Sequence, residues 1–235
     1  MKEHQDVSNI SNGNGNIFNP WEQITWYRPD EIERRSMEII RSELGNRILD
    51  HDNEPVILRA IHTSADFDYA DNLFFTPDVV KNSIQAIKDG VHIVTDTRMA
   101  WSGISRKTVA KMGGEVHCFM SDPDVAAEAK ERDSTRATVC MDRGVALQEQ
   151  LKKPVIFAIG NAPTALIRLA EVMANSDFRP CLIVAAPVGF VNVEEAKELI
   201  VESGCPAIVA RGRKGGSNIA AAICNALIYK ASGRI

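Results

Sequence analysis

PVIFAIGNAPTALIRLAEVMANSDFRPCLIVAAPVGF, residues 154–190, decides the fold. A β-branched and aromatic run ends at Gly160, helical spacing follows from Pro163 to Asn175, and a second apolar run spans Cys181 to Pro187. A strand, a helix and another strand without polar alternation form a unit whose sheet is covered on both faces. Similar runs recur at VHIVTD (91–96), EVHCFM (115–120) and PAIVAR (206–211). Between or after them lie PDVVKNSIQAIKDG, DPDVAAEAKER, TRATVCMDRGVALQEQL, VEEAKELIVESG and SNIAAAICNALIYKA, all with helical spacing. The expected fold class is α/β, three-layer αβα with a mainly parallel sheet. Further upstream, VILRAI (56–61) reads as a strand that delivers His62 into a turn of small and acidic residues.

Residues 1–19, rich in Asn, Gly and Ser, are expected to be a flexible tail, and residues 20–235 a single domain. RPDEIERRSMEIIRSELG (28–45) carries Pro29, acidic Asp30 and Glu31, spaced isoleucines and a terminal Gly45, which specify an amphipathic helix. Ser36 sits four after Ile32 and four before Ile40, so its hydroxyl is expected on the inward face, bonded to its own backbone or to a ligand.

With 27 Lys and Arg against 31 Asp and Glu, the chain lacks the global basic footprint of a nucleic-acid binder, and an anionic partner must meet a local cluster. Five widely spaced cysteines without a C-x-x-C argue against a zinc site or a disulfide framework and suit a reducing cytoplasm. No apolar leader and no membrane-length apolar run is present, so neither secretion nor a membrane association is expected.

Ligands of open α/β sheets bind outside the carboxyl ends of the strands. Four loops there stand out: one carrying Thr97 and Arg98, one carrying Asn161 and Thr164, one carrying Val188 and Phe190, and Arg211-Gly-Arg-Lys-Gly-Gly-Ser217. The last combines three cations, including Arg211 and Lys214, with bare backbone ahead of a helix beginning near Ser217, which suits carboxylates or phosphates as well as a solvated turn. Neither a P-loop nor a G-x-G-x-x-G accompanies it. Asn161 before Pro163 reads as an ordinary helix cap, and Ser134-Thr135-Arg136 as a second helix start that either caps alone or also holds an anion.

His62 is the acid/base candidate among five histidines. His4 lies in the tail, His51 in a polar turn, and His92 and His117 inside strands, where a satisfied imidazole is the default. His62 stands beside hydroxyls and carboxylates able to set its tautomer. A metal site of His62, Asp66 and Asp68 lacks a second His or Cys nearby, so no metal is assigned.

The ordered set RPDEIERRSMEIIRSELG, VILRAIHTSADFDYA, DGVHIVTDTRMAWSGI, STRATVCMD, GNAPTAL, APVGFVNVEEAKELI and RGRKGGSNIAAAICNALI resembles the precorrin-8X methylmutases of cobalamin biosynthesis across residues 26–230. The resemblance implies a cofactor-independent isomerase that moves a methyl group from C-11 to C-12 of a tetrapyrrole (corrinoid) by an acid-assisted 1,5-sigmatropic shift. His62 matches the acid/base histidine. Ser36 and Arg59 match substrate-side positions, with Thr97, Arg98, Ser134, Thr135, Arg136, Asn161, Thr164, Val188, Phe190, Arg211, Lys214 and Ser217 as further substrate contacts. The segment HTSADFDYADNLFF looks more like members acting on cobalt-containing intermediates, and a homodimer is implied. Rival expectations are a corrinoid carrier without turnover and a phosphate- or nucleotide-binding enzyme.

Overall fold

The structure, a computed structural model, describes residues 10–11, 17–18 and 20–234. The tail expected over 1–19 lies largely outside these residues. Residues 1–39 and 40–235 form two compact units. In the first, β1 (Ile10–Ser11) pairs antiparallel with β2 (Ile17–Phe18), and a 3-10 turn follows at Pro20–Gln23. Helix α1 (Pro29–Leu44) begins at the expected proline with Asp30 and Glu31 in its first turn. Its apolar face departs from expectation. Ile32 and Ile39, in the first unit, are exposed, whereas Ile40 and Leu44, in the second, are buried.

The second unit is built on a six-stranded sheet in the order β3-β8-β7-β6-β4-β5. These are β3 (Leu73–Phe75), β4 (His92–Thr95), β5 (Glu115–His117), β6 (Val155–Ile159), β7 (Leu182–Ala185) and β8 (Ala207–Ala210). All neighbours pair in parallel except β3, which is antiparallel to β8 at one edge. β4, β6, β7 and β8 are buried at every position, as continuous apolar runs require of strands covered on both faces. β3 was hidden in the sequence because a three-residue edge strand carries almost no periodicity.

One sheet face packs on α7 (Pro123–Glu131), α8 (Arg136–Leu151), α9 (Pro163–Asn175) and α10 (Val193–Glu202). Val94, Phe157, Ile183 and Val209 from alternate strand positions join Val139, Leu166, Leu169 and Ile200 in that core. The other layer is centred on α11 (Ser217–Ala231), which touches α2 (Glu54–Ser64), α4 (Val79–Lys88) and α5 (Arg98–Gly103). α11 is buried at ten positions, so its sequence is apolar nearly all round. α3 (Tyr69–Asn72) and α6 (Arg106–Lys111) complete the set. α5 begins within the segment around Thr97 and Arg98 that was expected to be loop.

The main correction concerns His62. Val56–Ile61 is not a strand but the buried body of α2, with Pro55 in its first turn and Ala65, at φ 55°, closing it in the left-handed conformation. All six residues are buried, so no polar face was left to reveal the helical period. The consequence is functional. In a strand Arg59 and His62 would point to opposite faces, whereas three residues apart on a helix they share one.

Candidate active site

The strand order reverses between β4 and β6, which makes the carboxyl ends of these two strands the topological switch point of the sheet. Asp96, fully buried just after β4, spans it. Its Oδ1 accepts from Gly160 N at 2.9 Å, and its Oδ2 accepts from Asn161 N and Ala162 N, each at 2.8 Å. Burial raises the carboxyl above its ordinary range while the three amides pull it back. The helix cap expected at Asn161 is therefore replaced: Ala162 is the cap residue of α9, and Asp96 from another strand satisfies the backbone donors. The Asn161 side chain is left exposed at the rim.

Thr97 caps α5, accepting from Ala100 N at 3.0 Å, and shares a 2.8 Å hydrogen bond with Ser217 Oγ at the start of α11. Gly160 makes this approach feasible, because a Cβ there would lie 2.6 Å from Ser217 Cα. Thr135 caps α8 and bonds Thr164 Oγ1 at 2.9 Å, so these two expected site residues also meet. Ser134 is half-buried beside them in the chain. Arg136 is exposed in the first turn of α8.

The 211–217 loop is held from beneath by Lys197, a fully buried side chain on α10. Its Nζ donates to Gly212 O at 2.6 Å and Lys214 O at 2.9 Å. Burial pushes its proton affinity down to about 8, with Glu194 and Glu198 opposing. Gly216 N donates to Ala186 O at 2.8 Å, and the adjacent Gly215 packs so closely on that carbonyl that no Cβ fits.

All three cations of the loop are engaged by carboxylates. Arg211 pairs with Glu198 at 3.0 Å, Arg213 with Glu194 at 2.8 Å, and Lys214 with both Asp66 and Asp68 at 2.6 Å. The Lys214 hydrogen bond holds Asp66 below the usual carboxylate range, and the two acids raise the lysine. Asp66 and Asp68 are thus both engaged by one lysine.

The Lys214 clamp also locates His62. Arg59 lies 5.3 Å over the Tyr229 ring near the end of α11, while Lys214, just before α11 begins, grips the turn that follows α2. α2 therefore runs antiparallel to α11, and its last turn, with half-buried His62, reaches the carboxyl edge. Ser64 Oγ donates to Ala60 O at 2.8 Å and accepts from Asp66 N, fastening that turn.

Val188 and Phe190 line the rim after β7, with Phe190 84% exposed and Arg213 5.7 Å over its ring. Met99, 70% exposed, adds apolar surface from α5. Arg98 stacks 4.1 Å over Trp101. Ser36 belongs to the N-terminal unit. A concavity lined by Gln148, Lys152, Lys153 and Arg179 opens at the opposite, amino edge.

Sequence reasoning missed Asp96 and Lys197. Asp96 had a signal, an acid directly after a buried strand at the switch point. Lys197 had none, since one lysine in VEEAKELI reads as a solvated helix residue.

The precorrin-8X methylmutase family model matches residues 31–230. The chain is 42% identical over 207 residues to the cobalt-precorrin-8 methylmutase of Salmonella typhimurium, covering 86% of this chain and 95% of that one. It is 38% identical over 200 residues to the namesake from Priestia megaterium, covering 85% and 87%. The precorrin-8X methylmutase of Pseudomonas aeruginosa is 36% identical over 198 residues, covering 83% and 93%. A solved precorrin-8X methylmutase from Thermus thermophilus superposes with a TM-score of 0.77 at 35% identity, covering 87% and 98%.

Proposed function

The chain belongs to the precorrin-8X methylmutase family, isomerases of cobalamin biosynthesis, and from that premise we propose that His62 is its acid/base and cobalt-precorrin-8 its substrate. The observation that carries the reading is the placement of the α2 terminus at the carboxyl edge, beside an apolar rim and a cationic loop. A corrinoid demands both features, because its macrocycle is broad and apolar while its acetate and propionate arms are anionic.

His62 donates a proton to the ring system near the migrating methyl, which draws electron density from C-11 and lowers the barrier to migration. The methyl moves with its bonding pair to C-12, and the imidazole recovers the proton, so neither electrons nor protons are consumed overall. Arg59, on the same face of α2, sets the local field. Val188 and Phe190 offer flat apolar contact to the ring. Arg136, at the start of α8, pairs with a carboxylate arm, with Thr97, Arg98, Ser134, Thr135, Asn161, Thr164 and Ser217 as further donors. Arg211 and Lys214 serve only by exchanging Glu198, Asp66 and Asp68 for substrate carboxylates. Exposed pairs of this kind exchange readily.

The cobalt form is supported by the names of similar relatives, although metal-free namesakes follow at similar identity. We further propose a cytoplasmic homodimer, supported by the exposed Trp26, Ile32 and Ile39 of the N-terminal unit. No described helix is long and apolar enough to cross a membrane.

The test is turnover. Purified protein incubated with cobalt-precorrin-8, and separately with precorrin-8X, should change the absorption spectrum without added nucleotide, flavin or metal. His62→Ala should abolish the change while product binding persists. Normal turnover by that variant refutes the histidine's role, and binding without turnover in the parent protein favours a carrier.

A further inference from the structure

Among the described residues, one group of three metal-ligating side chains converges, and it lies away from the methylmutase site: His92, Glu115 and His117. We propose that these residues bind a borderline divalent transition-metal ion, of which Zn²⁺ is the representative. The register brings them together. β4 and β5 pair in parallel with His92 opposite Glu115 and Val94 opposite His117. Side chains two apart share a face, so one imidazole from β4 meets a carboxylate and an imidazole from β5.

The distances suit an ion. His92 Nδ1 lies 2.8 Å from His117 Nε2, His117 Nε2 lies 4.0 Å from Glu115 Oε2, and one donor atom from each residue falls within 4.8 Å of the others. Tetrahedral Zn²⁺ with bonds of about 2.0–2.1 Å separates its ligand atoms by about 3.3 Å. The imidazoles must part by roughly half an ångström and the carboxylate close by about 0.7 Å toward His117 and by no more than about 1.5 Å toward His92, shifts within the reach of rotamer adjustment of an exposed glutamate.

The rings are oriented for this. They stack with planes 18° apart, and Phe119 lies parallel behind His117 at 6.1 Å. In the ion-free form the close nitrogens share one proton, and an ion substitutes for it by taking a lone pair from each. Two imidazoles and a carboxylate with an open fourth position form a donor set that zinc and its neighbours favour over calcium or magnesium. His92 is 9% exposed and the His117 side chain 16%, whereas that of Glu115 is 68% exposed and provides the entry side. Lys153 bears on His92 with a positive charge that the carboxylate offsets.

The site is distinct from the corrinoid edge. His92 begins β4 and Asp96 follows its end, a separation of about 13 Å at the usual strand rise. β5 is a three-residue edge strand with one neighbour, so an ion bridging it to β4 would fasten the weakest strand of the parallel set.

The test uses the full chain, freed of metal with a chelator and titrated with Zn²⁺ by calorimetry and with Co²⁺ by visible absorption. One equivalent should bind, with tetrahedral-type Co²⁺ bands and a Zn²⁺-dependent rise in Tm. His117→Gln should weaken binding more than about 100-fold, since losing a ligand costs more than losing an outer partner. Glu115→Gln, an exposed substitution that spares the fold and keeps a neutral carbonyl oxygen as a weaker ligand, should weaken it roughly tenfold and leave methylmutase turnover unchanged. His62→Ala should bind metal like the parent. Absence of a saturable equivalent, or equal affinity in both ligand variants and the parent, overturns the proposal.

Discussion

Lys197→Met is a direct probe of how the 211–217 loop is held. Methionine keeps the length and volume of the stem and removes the nitrogen that donates to Gly212 O and Lys214 O. The wild-type amine is driven from 10.5 to about 8 by burial, so between pH 8 and 10.5 the folded state has released a proton that the unfolded state retains. Stability rises with pH wherever the unfolded chain binds more protons, at up to about 1.4 kcal/mol per pH unit for one group. The wild type should gain on Lys197→Met by about 3 kcal/mol in total across that window. The neutral amine still has two N–H donors for its two carbonyls, so deprotonation removes the cost of a buried charge without breaking the contacts. Urea unfolding of both proteins from pH 7.5 to 10.5 measures the difference, and titrations common to both cancel. A difference that stays flat with pH would show that the two carbonyls fully compensate the buried ammonium, and would refute the reasoning.

Asp96→Asn puts an NH₂ where an acceptor faces Gly160, Asn161 and Ala162, leaving at least one buried donor unmet at a cost of about 1–3 kcal/mol; denaturant melts should show the loss, with weaker product binding as the loop loosens. Gly160→Ala drives a methyl toward Ser217 Cα and should cost about 1–3 kcal/mol, together with a fall in turnover as the Thr97 to Ser217 contact opens. Phe190→Ser, at a largely exposed position, should leave Tm nearly unchanged but weaken corrinoid affinity measured by absorption titration. Lys214→Gln should likewise spare the fold while altering KM, because its ion pairs are exposed and its partners sit on the turn after His62.

The sequence by itself determined the layered α/β architecture and the mainly parallel strands. Runs such as PVIFAIG and CLIVAAP bury both faces and so show their state without knowledge of any neighbour. It misread VILRAI for the same reason: a helix buried all round and a buried strand look alike over six residues. Tertiary structure alone decided that Arg59 and His62 share a face, that Asp96 rather than Asn161 satisfies the amides before α9, and that Lys197 lies beneath a loop more than a dozen residues downstream. It also paired Arg211 and Lys214 with acids from α10 and from the turn after α2. Hydrophobic periodicity is a property of one segment, whereas a hydrogen bond or an ion pair is a property of two segments that only the folded chain brings within three ångströms.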